Sequence, residues 1–372
     1  MKTKISILSA ITILVLVFSF CVKNKGYVTY TIHRPVYTMK PEIKENARLQ
    51  EPTALKDLGN FVLYGNAMYV VEKNKGIHVI DYTNPSSPIN KGFVPIPGNT
   101  GVSIKNDLLY ADCYTDLFIF QLNNGGQIEL KNNLANAFLS RAQIGISAGC
   151  IGLQWIDKDT TVATGSVKND VTNNQSSQQT DSRMSTNSNV GNGNTSVGSS
   201  MCVFTIVKNH LYAVDNTSLR AFSIENGTSP VLNSVTNIGG NIETIFPFGE
   251  RLFIGSNTGM FIYDIAAPSA PSYKSQFNHV RSCDPVIADE RFAYVTLRSG
   301  TSCGGFTNQM DVINIEDIAK PVLLRSYPFS NPHGLDKDGN IMFVCDGSSG
   351  LKVIDATDVN NMITKKTIAL GN

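Results

Sequence analysis

One pattern, repeated six times, narrows the possible folds of this chain more than any other feature. The segments FVLYGNAMYVV (61–71), VSIKNDLLYAD (102–112), FTIVKNHLYAV (204–214), IFPFGERLFIG (245–255), VIADERFAYVT (286–296) and LDKDGNIMFVC (335–345) share it. Each sets two apolar halves around a polar or glycine-bearing turn, which is the sequence form of a β-hairpin. An aromatic side chain falls at the same place in every copy, at Tyr69, Tyr110, Tyr212, Phe253, Tyr294 and Phe343. A third strand-like element follows each hairpin: IHVID (77–81), LFIFQ (117–121), LRAFS (219–223), MFIYD (260–264), MDVIN (310–314) and LKVID (351–355). A turn with Pro, Asn or Gly then leads to a further apolar stretch, such as PVLLRSY (321–327). The unit is a meander of four short strands, lettered A to D.

Four antiparallel strands recurring at about 40 residues is the spacing of propeller blades. One such sheet cannot bury both of its faces, but radial stacking on its neighbours closes a continuous core. The chain is therefore expected to be all-β, a β-propeller of six four-stranded blades over residues 59–372, with seven blades as the alternative. A β-sandwich would have no reason to keep an aromatic in phase six times. The Val28–Ile32 stretch is a possible closing strand beside Thr367–Leu370. Two intervals are longer than the rest. The one between 102 and 204 holds residues 165–200, dominated by Ser, Thr, Asn, Gln and Gly. That composition cannot offset ordering entropy and predicts a disordered insertion. The other adds a loop across Arg298–Gln309.

Apolar residues make up 42% of the chain and charged ones 16%, enough for a large core. With 31 Lys and Arg against 30 Asp and Glu, no basic excess exists to neutralise phosphates, which argues against nucleic acid. Residues 1–20 read as a signal peptide: Lys2 and Lys4 precede an uncharged apolar run, Ile5 to Phe20, that is short for a membrane span. The run ends at Cys21, the position of a lipidated cysteine in a bacterial lipoprotein, with residues 21–58 as a lipid-anchored linker. Phe20 stands where a small residue is usual, so plain secretion and an uncleaved anchor remain open. An exported chain can oxidise its other cysteines.

GIHVID, LKVID and their relatives resemble the LVIVD-repeat proteins, a group of bacterial exported propeller-like proteins. So do RPVY (34–37), NKGIHVIDYTNP (74–85), IPGN (96–99), LLYADCYTDL (108–117), SCDPV (282–286), AYVTLRSGTSCGGFTNQ (293–309) and NPHGL (331–335). The resemblance runs from about residue 34 to 360, apart from the low-complexity insertion. It implies a propeller and a lipoprotein, and it brings no established reaction with it.

Site chemistry is thinly marked. GISAG (145–149) fits the G-x-S-x-G pattern around Ser147, but a nucleophile elbow needs a strand–turn–helix in a parallel sheet, and no α/β alternation exists. Cys283, before strand A of the fifth unit, and Cys303, in its extended B–C loop, would emerge on one face and form a candidate disulfide; free thiols are the alternative. No His or Cys spacing suits zinc, and the Asp112–Asp116 stretch lacks the glycine and final carboxylate of a calcium loop, so no metal and no cofactor is expected. In a meander the D–A and B–C connections emerge on the same face. They would deliver Asn99, Thr100, Asn241, Glu243, Asp284, Asn331 and His333, joined by Glu72, Lys73, Asp116, Arg298 and Asn308, to the axial opening. Of these, Asn99, Asn241, Glu243, Asp284, Arg298, Asn308 and His333 are candidate ligand-binding residues; ordinary turn chemistry explains the same residue types.

The leading functional expectation is a non-catalytic, envelope-anchored propeller that binds an unidentified protein or polar ligand. The alternatives are an envelope hydrolase or lyase using the axial funnel, with Asp284, Glu243, Arg298 and His333 as its reactive groups, and a structural spacer.

Overall fold

The computed structural model describes residues 27–123, 127–138, 150–163, 195–196, 203–278, 285–299 and 307–369. The chain divides into two units, of which the smaller comprises residues 1–37 and 152–178. Its described part is a two-stranded ladder of β1 (Tyr27–Met39) and β10 (Cys150–Ala163). Thr29 and Thr161 share a 2.7 Å hydroxyl contact across it, and Thr31 donates to Asp159.

The larger unit begins with a short helix, α1 (Lys40–Asn46), and then forms six four-stranded sheets in chain order. Blade 1 is β2 (Leu58–Tyr64), β3 (Ala67–Glu72), β4 (Gly76–Asp81) and β5 (Ile89–Pro95). Blade 2 is β6 (Val102–Lys105), β7 (Leu108–Cys113), β8 (Asp116–Asn123) and β9 (Gln127–Leu134), with the two residues of β11 (Thr195–Ser196) on the free edge of β6. Blade 3 is β12 (Phe204–Val207), β13 (His210–Val214), β14 (Ser218–Ser223) and β15 (Val231–Asn237). Blade 4 is β16 (Ile242–Phe248), β17 (Arg251–Ser256), β18 (Gly259–Asp264) and β19 (Ser272–Asn278). Blade 5 is β20 (Val286–Ala288), β21 (Phe292–Leu297), β22 (Gln309–Asn314) and β23 (Val322–Pro328). Blade 6 is β24 (Leu335–Asp338), β25 (Ile341–Cys345), β26 (Leu351–Asp355) and β27 (Ile363–Ile368). The innermost strands of successive blades lie against one another from blade 1 to blade 6. The architecture is a six-bladed propeller, as the repeat predicts.

The repeated sequence signs have repeated physical causes. The in-phase aromatic sits on the second strand and points at the following blade. The hydroxyl of Tyr110 donates to the Gly227 carbonyl at 2.9 Å, and that of Tyr212 to the Pro268 carbonyl at 2.9 Å, each reaching the next blade's C–D turn. The Asp that ends the third strand turns the chain: Asp81, Asp264 and Asp355 each accept the backbone N–H two residues on. The same three carboxylates pair with Lys91, Lys274 and Lys365 on the fourth strand. Gly76 and Gly350 open the third strand because a Cβ there would collide with the carbonyl oxygens of Val94 and Ile368 on the fourth. Every blade also carries a bulge between its third and fourth strands, as at Val79/Ile80 and Val353/Ile354, which adds local twist.

The core lies between blades rather than within one. Leu108, Tyr110, Leu117 and Ile119 of blade 2 pack against Phe204, Ile206, Leu211 and Phe222 of blade 3. Tyr212 and Leu219 meet Ile245, Leu252 and Ile254 in the next seam, and Phe253, Tyr294 and Met342 belong to one cluster through blades 4 to 6. Val28–Ile32 does not close the ring. It lies within β1, whose partner is β10, and blade 6 takes its fourth strand, β27, from its own continuous chain. Residues 1–26 and, except for Thr195 and Ser196, residues 165–200 lie outside the described residues, as do Cys21, Ser147, Cys283, Asp284 and Cys303.

Candidate functional site

Strand direction alternates through each meander, so the B–C turns and D–A loops share one side of the ring, called the upper face. The end of each B strand carries a polar side chain there: Glu72, Asp112, Asp215, Ser256, Thr296 and Asp346. All six are buried. A buried polar atom needs partners, and each of these finds them in the turns it helps to shape.

Asp112 is the fullest case. Its Oδ1 accepts the amides of Thr100 and Gly101 at 2.9 and 2.7 Å and the Asn99 side chain at 2.9 Å, while Oδ2 takes the Thr100 hydroxyl at 2.6 Å. Asp346 repeats the device in blade 6, where Oδ1 accepts the amides of Ser330 and Asn331 and Oδ2 lies 2.7 Å from Lys352 Nζ. Asp215 receives the amides of Thr217 and Ser218, and Ser256 closes its own turn with Gly259. Glu72 contacts His78 Nε2 at 2.7 Å and Lys75 at 2.5 Å. Burial works against its charge, but the hydrogen bonds from Lys75 and His78 outweigh that and hold the carboxyl below its ordinary value. Lys40 of α1 reaches Asp116 at 3.2 Å, and the same carboxylate takes the Thr115 hydroxyl and the Asn136 amide. Beside these groups the Cys113 thiol is pushed up by burial and by the neighbouring Asp116 and Asp112.

Of the seven expected binding residues six are described, and among these Arg298 and His333 are the pair brought into contact. Asn99 is completely buried, its amide given to Asp112 and to the Gly101 carbonyl, so it locks the loop instead of facing solvent. Asn241 is exposed in a left-handed turn (φ 59°), and its carbonyl receives the Asn257 amide. Glu243 is half-buried at the start of β16, and Asp284 lies outside the described residues. Arg298 and His333 do meet. Arg298, 9% exposed as a residue, brings its guanidinium within 2.9 Å of His333 Nδ1. A guanidinium can only donate, so the imidazole nitrogen accepts. Thr296 anchors the same histidine by donating to its backbone carbonyl at 2.7 Å, and Asn308 accepts the Ser299 amide at 2.9 Å, which fixes both ends of the blade 5 loop. Sequence reasoning missed the B-strand carboxylates as a class. Their signal was present: Glu72, Asp215 and Asp346 each stand three residues after the in-phase aromatic.

Each described blade thus carries a buried tie from B strand to loop, and blades 1 and 4 match a known repeat. The LVIVD repeat is found at residues 58–95 and 240–279. The chain thus carries LVIVD repeats. Of the curated proteins, none matches its sequence. Solved structures place the chain among propellers at very low identity. A protein from Lactobacillus plantarum aligns over 86% of both chains with a TM-score of 0.59 and 11% identity. The Pseudomonas aeruginosa periplasmic gluconolactonase PpgL aligns over 86% of this chain and 87% of its own, with a TM-score of 0.54 and 11% identity. A functionally unknown protein from Desulfotomaculum acetoxidans aligns over 82% and 81%, with a TM-score of 0.52 and 12% identity. At such identities the chain shares with them its fold alone.

Proposed function

We propose that this protein is a non-catalytic, envelope-anchored propeller that binds an anionic group of a polar ligand or protein partner on its upper face, at the junction of blades 5 and 6. The observation that carries this reading is the Arg298–His333 contact, a guanidinium held against an imidazole whose backbone carbonyl accepts from Thr296. Arg presents a planar fork of donors suited to carboxylate or phosphate. The export signal and Cys21 supply the anchoring half of the reading, and replacing Cys21 by Ser should move the protein from the membrane to the soluble fraction.

The rival reading is an envelope hydrolase, and the fold it shares with a periplasmic gluconolactonase keeps that reading in play. Hydrolysis needs a carboxylate or imidazole at liberty to move a proton. The carboxylates of Asp112, Asp215 and Asp346 are spent on backbone amides, which favours binding.

The test is thermal-shift screening with inorganic phosphate and a panel of sugar acids, beside capture from solubilised envelope. An anionic compound should raise the melting temperature of the native chain, and Arg298→Ala should abolish the rise while its circular dichroism stays native. If no anion shifts the native protein and no envelope partner is recovered, the binding reading falls. Turnover of a lactone or ester that Arg298→Ala abolishes would establish the hydrolase instead.

A further inference from the structure

The outer edges of the six blades are not protected equally. A fourth strand has one hydrogen-bonded neighbour and leaves a row of backbone donors and acceptors open, a liability that proteins blunt with charged side chains, lysine above all. In this chain the lysine has a set place, ten residues after the last position of the third-strand motif (Asp81, Gln121, Asp264 and Asp355). It is Lys91 in β5, Lys131 in β9, Lys274 in β19 and Lys365 in β27. Three of these are held there by the turn carboxylates Asp81, Asp264 and Asp355. Blade 5 has Leu324 at that position but keeps Arg325 and Pro328 in the same strand. Blade 1 is guarded twice, because Gln50 bridges to Phe93 on the outer side of β5.

Blade 3 has lost the device on both strands. Ser223 stands in place of the turn carboxylate and Asn233 in place of the lysine. Among the described outer strands, β15 (VLNSVTN) alone carries no ionisable side chain. It also presents Val231 at 61%, Leu232 at 46% and Val235 at 51% exposure. An uncharged, β-branched edge of seven residues is a pairing strand by its chemistry.

We infer that β15 is a dimerisation edge, on which two copies of this chain pair β15 against β15, antiparallel about a two-fold axis. The charge pattern selects the occupant. In an isologous antiparallel contact residue i meets residue j and j meets i, so a charge near the middle of the strand is brought close to its own copy. An edge bearing lysine would therefore set like charges together, and β15 is the strand that escapes this. The paired edges would join two blades into one continuous sheet of eight strands and cover the exposed valines and leucine. The contact is separate from the upper face and does not depend on what binds there.

The experiment is sedimentation of the full chain carrying Cys21→Ser, so that no lipid drives association. A concentration-dependent monomer–dimer equilibrium is expected. Asn233→Lys, which restores the repeat's own lysine at an exposed position, should weaken the dimer by at least about tenfold with an unchanged melting temperature. Val235→Lys should do the same from the next exposed position. The inference is overturned if the chain sediments as a monomer at every concentration, or if a dimer persists undiminished in both variants.

Discussion

Asp289 shows how one side chain can join two blades. It sits in the A–B turn of blade 5, accepts the amides of Arg291 and Phe292 and the hydroxyl of Tyr294, and receives Lys337 from blade 6 at 2.5 Å. Burial pushes its pKa up, but Lys337 and the two amides outweigh burial and hold the carboxyl below its ordinary value. A carboxyl depressed in the folded state contributes stability that is present above its unfolded value, about 4, and is lost as pH falls through the folded one. Urea melts from neutral pH downwards should therefore show stability falling below about pH 4, and Asp289→Asn should flatten that slope while lowering stability at pH 7. An unchanged slope in the variant would remove Asp289 from this role. The Tyr294 ring is caught in the same cluster, with Lys337 Nζ 5.4 Å from its centroid and its phenol pushed up by burial and by Asp289.

At the scale of elements, Tyr110 and Tyr212 show what a tyrosine at the in-phase position adds, a hydroxyl tie to the next blade. Tyr212 is fully buried apart from a hydroxyl engaged by the Pro268 carbonyl, and Tyr110 repeats this one seam earlier. The ring fills the seam and the hydroxyl sets the angle between neighbouring sheets. Tyr212→Phe keeps the ring and strands one carbonyl, so it should cost about 1 kcal/mol in chemical denaturation without changing the fold. A neutral result would mean that water replaces the hydroxyl and that packing alone sets the blade angle.

The whole ring is not uniformly tight. Tyr110 of blade 2 and Phe204 of blade 3 share one seam, and by repeat position Phe343 of blade 6 corresponds to Tyr110 and Phe61 of blade 1 to Phe204. In the interior seams such side chains are buried completely, as Tyr212 and Phe253 are. At this last seam Phe343 and Val353 on one side and Phe61, Leu63 and Met68 on the other are half-buried. Less apolar area removed from water means less free energy holding the seam shut. Opening is therefore expected to start there. In hydrogen exchange, the amides of β25 and β26 should exchange before those of β13 and β17, in the sub-global order that local stability dictates. Simultaneous exchange of all six blades would show instead that the ring opens as one unit.

The sequence alone determined the all-β class, the four-stranded unit, the six copies and the strand that carries the aromatic. Each of these is written in local periodicity, where one residue's neighbours along the chain decide which face it takes. It also marked the Asp and Gly positions of the turns, whose partners stand a few residues away. Only the tertiary structure decided that Asn99 is a buried lock for Asp112, that Arg298 and His333 meet across two blades, and that β1 pairs with β10 instead of closing the ring. Those outcomes depend on groups far apart in the chain and on which strand edge is already filled, and no local pattern encodes either. The loss of the edge lysine from blade 3 was legible as a substitution of Asn233, but it acquired meaning once β15 was seen as an outer strand with its valines exposed.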